Sequence, residues 1–418
     1  MISLDIFCDV IDNYGDAGVC LHLARTMSHK DFKVRLFCNN MSVLERICNE
    51  NDYQNEHLSF ENWEQPLEHY EAAMCVINAF GCHFDKQTHE TLLNNPQALI
   101  IHLEYLSAED WVEDCHSLPS FVDGLTTHYF FPGFTSKTGG LNIDKDLTNK
   151  CIPHLAKLYT KLTCPQGCDE AKTKSLSNNE LCTKLNANAE ATRVISLFGY
   201  ENKAVGNIVK SLSDCGKNTL IKVFEGLCLD NINALYQWDL KVGQIKEVGN
   251  NLSIEAIAMV GHDEYDDILV SSDFNLVRGE DSIVRAMHTG NPFLWHIYPQ
   301  DEETHIIKLK SFLERMRTIL KVEIPTLESE PNKLELLHHG LKFIAIDAHT
   351  ADAMVDEISQ VMIAYNEAEP WPESFDFNGF VERNAAAFYN LAVYLNGRTN
   401  LSQSLCEFIM SKIGSKLA

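Results

Sequence analysis

Short apolar runs alternate with segments of helical period through the first half of the chain. Residues 2–11 form one strand-like run, and residues 19–27 repeat their apolar positions at helical spacing. Runs at 34–38, 74–79 and 98–103 predict three further strands. Strands built from Val, Ile, Phe and Cys and separated by helix-length segments predict a parallel sheet covered on both faces. Residues 142–193 change character: Lys, Asn, Thr and Asp dominate and the period weakens, which reads as a partly helical connection with a solvated insertion near 164–188. Alternation then resumes, with strands expected at 194–198, 220–224, 274–277 and 292–297 and helical stretches at 266–270 and 282–289. Residues 377–395 and 401–413 read as closing helices.

This order predicts an α/β protein of two Rossmann-like domains, residues 1–185 and 186–397, with a ligand cleft between them. The length of 418 residues agrees with two domains, or three, at about 150 residues each. Charge narrows the partners. With 34 Lys and Arg against 59 Asp and Glu, the formal net charge is −25, which repels phosphate backbones and anionic lipid. Neither nucleic acid nor a membrane is expected as a partner, and a basic protein is. No apolar run reaches the ~18 residues of a membrane span. The first residues lack the basic start of a signal peptide. Fourteen scattered cysteines, several inside apolar runs, predict buried free thiols in a reducing cytoplasm. The Cys164-Pro-Gln-Gly-Cys168 turn has no second pair beside it, so no zinc is expected.

Two motifs carry chemistry. Asp12-Asn13-Tyr14-Gly15-Asp16-Ala17-Gly18 follows the first strand, where a dinucleotide fold would present G-x-G-x-x-G to a diphosphate. Two carboxylates there suit a cationic substrate group or a general base, and they argue against a dehydrogenase. The simpler alternative has Asp16 capping the helix and Asp12 opening a turn. The second motif, Asn275-Leu276-Val277-Arg278-Gly279-Glu280-Asp281-Ser282, runs from a strand into a helix. Arg278 can fork onto phosphate oxygens, Gly279 lets the backbone approach, and Ser282 with the first helical N–H groups would complete a diphosphate pocket. Glu280 could accept from ribose hydroxyls. An ordinary helix cap is the alternative, but a cap has no need of an arginine. Together the motifs describe group transfer from a nucleotide-activated donor to a basic acceptor. Tyr200 and Tyr298 stand at strand ends on the same side, and the Phe130–Phe134 aromatic turn reads as packing core.

These blocks resemble the protein-arginine rhamnosyltransferases that modify bacterial elongation factor P. The resemblance rests on Asp12–Asp16, Leu103-Glu104-Tyr105-Leu106-Ser107-Ala108-Glu109, residues 130–141, 277–282 and 295–300, which stand in family order. It implies the GT-B architecture, with a closing helix at about 398–418 returning to the first domain. It also implies inverting, metal-free transfer of L-rhamnose from dTDP-β-L-rhamnose to one arginine. Asp16 would then be the general base, with Asp12 holding the guanidinium. Asn13, Tyr14, Gly15, Tyr200, Arg278, Gly279, Glu280, Asp281, Ser282 and Tyr298 would line the donor side. Where the family carries Phe-Leu-Pro-Gln, this chain reads Met259-Val260-Gly261-His262, so a thioether would pack on the base and an imidazole would read it. A GT-B enzyme with another donor or acceptor, and a non-catalytic acidic binding protein, are the rival readings.

Overall fold

The computed structural model describes residues 1–11, 14–65, 67, 69–163, 192–299, 304–321 and 340–417. The chain divides into two compact units, Met1–Lys145 with Arg398–Ala418, and Asp146–Gly397. The division falls at the start of a helix, not at 185/186, and the expected insertion at 164–188 lies outside the described residues.

In the first unit seven strands, β1 (Ile2–Cys8), β2 (Phe32–Cys38), β3 (Leu58–Asn62), β4 (Cys75–Ala79), β5 (Leu99–Leu103), β6 (Pro119–Val122) and β7 (Leu125–Phe130), form one sheet. Their order is β3-β2-β1-β4-β5-β7-β6, parallel except for the β6–β7 hairpin. The helices of this unit are α1 (Tyr14–Ser28), α2 (Met41–Ile47), α3 (Glu50–Gln54), α4 (Lys86–Leu93) and α5 (Trp111–Cys115). β1 stops at Cys8, short of the expected residue 11, because side chains take over its backbone donors. The Asp9 N–H goes to Cys82 Sγ and the Val10 N–H to Asn39 Oδ1. The one charge inside β1, Asp5, is fully buried and is answered by Arg35 directly opposite on β2, by the Tyr70 hydroxyl and by the Ala73 N–H.

The second unit holds α6 (Lys145–Thr163), β8 (Arg193–Leu197), α7 (Ala204–Asp214), β9 (Thr219–Phe224), α8 (Leu227–Tyr236), β10 (Ile245–Val248) and β11 (Leu252–Ile257). There follow α9 (His262–Ser271), β12 (Phe274–Arg278), α10 (Asp281–Thr289), β13 (Phe293–His296), α11 (Thr304–Leu320), α12 (Ala348–Asn366) and α13 (Phe377–Asn396). The sheet order is β10-β11-β9-β8-β12-β13, with only the edge strand β10 antiparallel.

The last helix, α14 (Leu401–Leu417), belongs to the first unit, where Leu401, Leu405, Ile409 and Ile413 join the core that α1 and β1 share. A backbone bridge fastens its start: the Leu401 N–H donates to the Leu141 carbonyl at 2.8 Å. Gly140 makes that approach possible. Its φ is +79°, and a Cβ there would collide with the Thr399 carbonyl.

Candidate active site

In an open α/β sheet, ligands bind outside the carboxyl ends of the strands where the strand order reverses. That point lies between β1 and β4 in the first unit, and between β8 and β12 in the second. Both sequence motifs fall on these two places.

At the first, Asp16 stands in the opening turn of α1 and is 2% exposed. One carboxylate oxygen accepts the Ile11 N–H at 2.8 Å, and the other accepts the Tyr105 hydroxyl at 3.2 Å. Tyr105 is held in turn by stacking on Phe80, with ring centroids 4.2 Å apart and 12° between planes. These bonds fix the group's orientation and pin the loop to the start of α1. Asp9 lies half-buried beside it. Burial, with the Asp16 charge adding, pushes the Asp9 carboxyl above the usual range, while His83 pulls the other way. Tyr14 and Gly15 begin α1 half-buried, and the Tyr14 hydroxyl accepts from Arg46 at 3.1 Å. Asp12 and Asn13 lie outside the described residues.

At the second, Arg278 ends β12 and is 7% exposed. Its guanidinium carbon sits 4.5 Å from the Phe198 ring centroid and 4.8 Å from that of Tyr200, two aromatics from the end of β8. Tyr200 packs edge-on against His296 and Tyr298, at 5.1 and 5.9 Å. Burial lowers the His296 pKa to about 4, so this neighbour is neutral at physiological pH and leaves the positive charge to Arg278. Gly279 takes φ +62°, and its carbonyl accepts the Trp295 indole N–H at 2.7 Å. Glu280 stands at the N-cap of α10 without a capping hydrogen bond from its side chain to the helix.

Two expected donor residues have further duties. The Ser282 hydroxyl donates to the Arg278 carbonyl, which ties the helix start to the strand end. Asp281 pairs with the fully buried Arg285 at 3.0 Å and lies 3.4 Å from His262 Nε2, while Asp266 meets Arg285 at 2.7 Å. One Asp281 oxygen, Oδ1, is buried without a hydrogen-bond partner. Met259 follows β11, half-buried, its N–H on Glu225 at 3.0 Å. Tyr298 is 40% exposed.

The structure thus gathers Tyr200, Arg278, Gly279, Glu280, Asp281, Ser282, His262 and Tyr298 at one sheet edge, and Tyr14, Gly15 and Asp16 at the other unit's edge. Three supports leave no local signal in the sequence: Tyr105 reaches Asp16 from a distant segment, Phe198 meets Arg278 from the end of β8, and Arg285 answers Asp281 and Asp266 from inside α10. Among the described residues, no group of three or more His, Cys, Asp or Glu is arranged to hold a metal ion, and no helix is long and apolar enough to cross a membrane.

Comparison with known proteins identifies the family and the fold. The family described as elongation factor P (EF-P) rhamnosyltransferase EarP matches residues 4–410. The protein-arginine rhamnosyltransferase of Pseudomonas aeruginosa is 36% identical over 323 residues, covering 75% of this chain and 81% of that protein. That of Pseudomonas putida is 38% identical over 329 residues, covering 75% and 81%. That of Shewanella oneidensis is 32% identical over 334 residues, covering 74% and 79%. A solved structure described as the basis for EarP-mediated arginine glycosylation of translation elongation factor EF-P aligns over 98% of this chain and 99% of its own, with 21% identity and a TM-score of 0.54. The likeness to it is one of fold, the two-unit α/β GT-B architecture.

Proposed function

The chain belongs to the EarP family of elongation factor P rhamnosyltransferases, and from that premise we propose how its two half-sites divide the work. The protein is a glycosyltransferase that rhamnosylates an arginine of elongation factor P. The donor is dTDP-β-L-rhamnose, and transfer inverts the anomeric carbon without a metal ion. The observation that carries this reading is the buried arginine just before the start of α10: Arg278 is almost wholly enclosed yet has aromatic faces as its neighbours, as a phosphate-binding fork would.

An arginine side chain has a pKa above ~12, and its delocalised nitrogens are poor nucleophiles. Asp16, with Asp12, orients the guanidinium and takes one proton as a nitrogen–C1 bond forms, a contribution of about 10²–10⁴-fold. The bond from C1 to the diphosphate oxygen breaks on the opposite face through an oxocarbenium-like state. The departing thymidine diphosphate gains negative charge, which Arg278 and the α10 amino end stabilise, each such donor contributing roughly 2.7–4 kcal/mol in comparable oxyanion sites. Glu280 and Asp281 face the nucleoside, and Met259, His262, Tyr200 and Tyr298 surround it. Asn13, Tyr14 and Gly15 contact the sugar. The reaction belongs to the cytoplasm, which suits the free buried thiols of Cys8, Cys38 and Cys75.

The purified chain incubated with elongation factor P and dTDP-β-L-rhamnose should add one deoxyhexose to a single arginine, read by peptide mass spectrometry. NMR of the product should give the α-configured linkage. Equal transfer from UDP- or GDP-sugars would overturn the donor assignment, and a β-linkage would overturn inversion.

A further inference from the structure

The second unit has a cavity of about 340 Å³ at the amino edge of its sheet, opposite to the strand ends that carry Arg278. Residues just before or at the start of β8, β9, β12 and β13 line it, together with α6 and α13. Its volume falls within the range of small-ligand pockets. Part of the wall is apolar, from Leu158, Leu162, Val381 and Ala385.

The charges around it are unusual for so acidic a chain. Four basic side chains, Lys157, Lys161, Arg193 and Lys217, face two acidic ones, Asp273 and Glu382. Lys161 lies 3.3 Å from Asp273, and Lys217 lies 2.7 Å from Glu382. No described carboxylate pairs with Lys157 or Arg193. Arg193 donates only to neutral groups, the Asn378 side-chain oxygen, Thr219 Oγ1 at 3.1 Å and Cys215 Sγ at 3.3 Å. Its Nε is buried with no acceptor. The remaining titratable group, His154, donates its Nε2–H to the Asn291 side-chain oxygen at 2.9 Å. Burial holds its pKa below the usual histidine value, so it leaves the balance unchanged at neutral pH. A half-buried guanidinium without a counter-charge, with one orphaned donor in the wall of a partly apolar cavity, lacks an anion.

We propose that this cavity is a binding site for a small organic anion, a phosphate or carboxylate head on an apolar body. The head engages Arg193 and Lys157, and the body lies against Leu158 and Val381. β8 and β12 begin at the cavity and end at the donor half-site, and α10 runs back from the donor half-site to the cavity, where Gly290 and Asn291 follow its last turn. The bound anion therefore sits at the far end of the elements that carry Arg278 and Tyr200.

Isothermal titration of the full chain with phenyl phosphate, and separately with benzoate, at low ionic strength tests this. Phosphate and carboxylate heads are thereby distinguished. At least one probe should bind the unaltered chain and Arg278→Ala with equal affinity, because the site is independent of the donor pocket. Lys157→Glu, on the exposed face of α6, should weaken binding about tenfold or more by reversing one charge. Arg193→Gln should do the same, and an unchanged melting temperature for Lys157→Glu guards against misfolding as the cause. Binding of neither probe, loss of binding in Arg278→Ala, or full affinity in Lys157→Glu and Arg193→Gln would each overturn the assignment.

Discussion

Replacing Arg278 by lysine keeps the positive charge and removes the fork, so it isolates what the guanidinium geometry contributes. The side chain is 7% exposed and wedged between Phe198 and Tyr200 at 4.5 and 4.8 Å, so its orientation is set before any ligand arrives. A hydrogen bond to a charged group contributes about 1.5–3 kcal/mol, and a largely desolvated cation–π contact roughly 2 kcal/mol. Lysine recovers part of the second and little of the bidentate contact. A net loss of about 1.5–3 kcal/mol is expected, which at 1.4 kcal/mol per decade raises the Kd for dTDP about 10- to 100-fold. Calorimetric titration of the unaltered chain and Arg278→Lys with dTDP measures this directly, with thermal melts to show that both are folded. An affinity within twofold of the unaltered chain would refute the phosphate assignment and return Arg278 to a packing role.

Three further outcomes follow from the geometry. Tyr105→Phe removes a hydrogen bond that orients Asp16, and should slow transfer up to about tenfold while leaving dTDP affinity unchanged, as steady-state rates and titration would show. Asp9→Asn should raise the melting temperature at pH 7. Its carboxyl has a raised folded pKa, so the ionised form costs stability above that value, and the gain should fade as pH drops through the raised pKa towards the ordinary carboxylate range near ~4. Transfer should persist in excess chelator, because Arg278 and the α10 amino end supply the positive charge at the leaving group. A rate restored only by added Mg²⁺ would contradict that.

Strands β1, β2, β4, β5, β8, β9, β12 and the edge strand β13 were legible because each is mostly apolar and mostly buried, broken by only one or two polar residues. The edges β6 and β10 were not. Every residue of β6 is exposed, as are three of four in β10, so neither leaves a hydrophobic signature, and their pairing is set by neighbours rather than by local pattern. Phe130, read as part of a turn, ends β7 and enters the core with α14, a contact between distant segments. The donor motif was visible because a strand, a glycine and a helix start stand in succession. Its supports were hidden for the same reason as β7: Phe198 meets Arg278 from another strand, and Tyr105 reaches Asp16 across the sheet edge. Asp281 was read as a ligand contact, yet its partner Arg285 lies one helical turn away and is fully buried, which an (i, i+4) spacing alone does not reveal.

The proposed mechanism separates an acidic acceptor side from a cationic donor side, and Asp16→Asn tests that division most directly. The asparagine preserves shape and, through its amide oxygen, the bond from the Ile11 N–H, while its amide nitrogen donates to the Tyr105 hydroxyl in reversed direction and charge and basicity are removed. Intact-mass kinetics on elongation factor P with saturating donor should show transfer reduced by about 10²-fold or more, with dTDP affinity unaltered by titration. Near-normal transfer by Asp16→Asn would contradict the account, because the arginine would then be activated by some group other than the carboxylate at the start of α1.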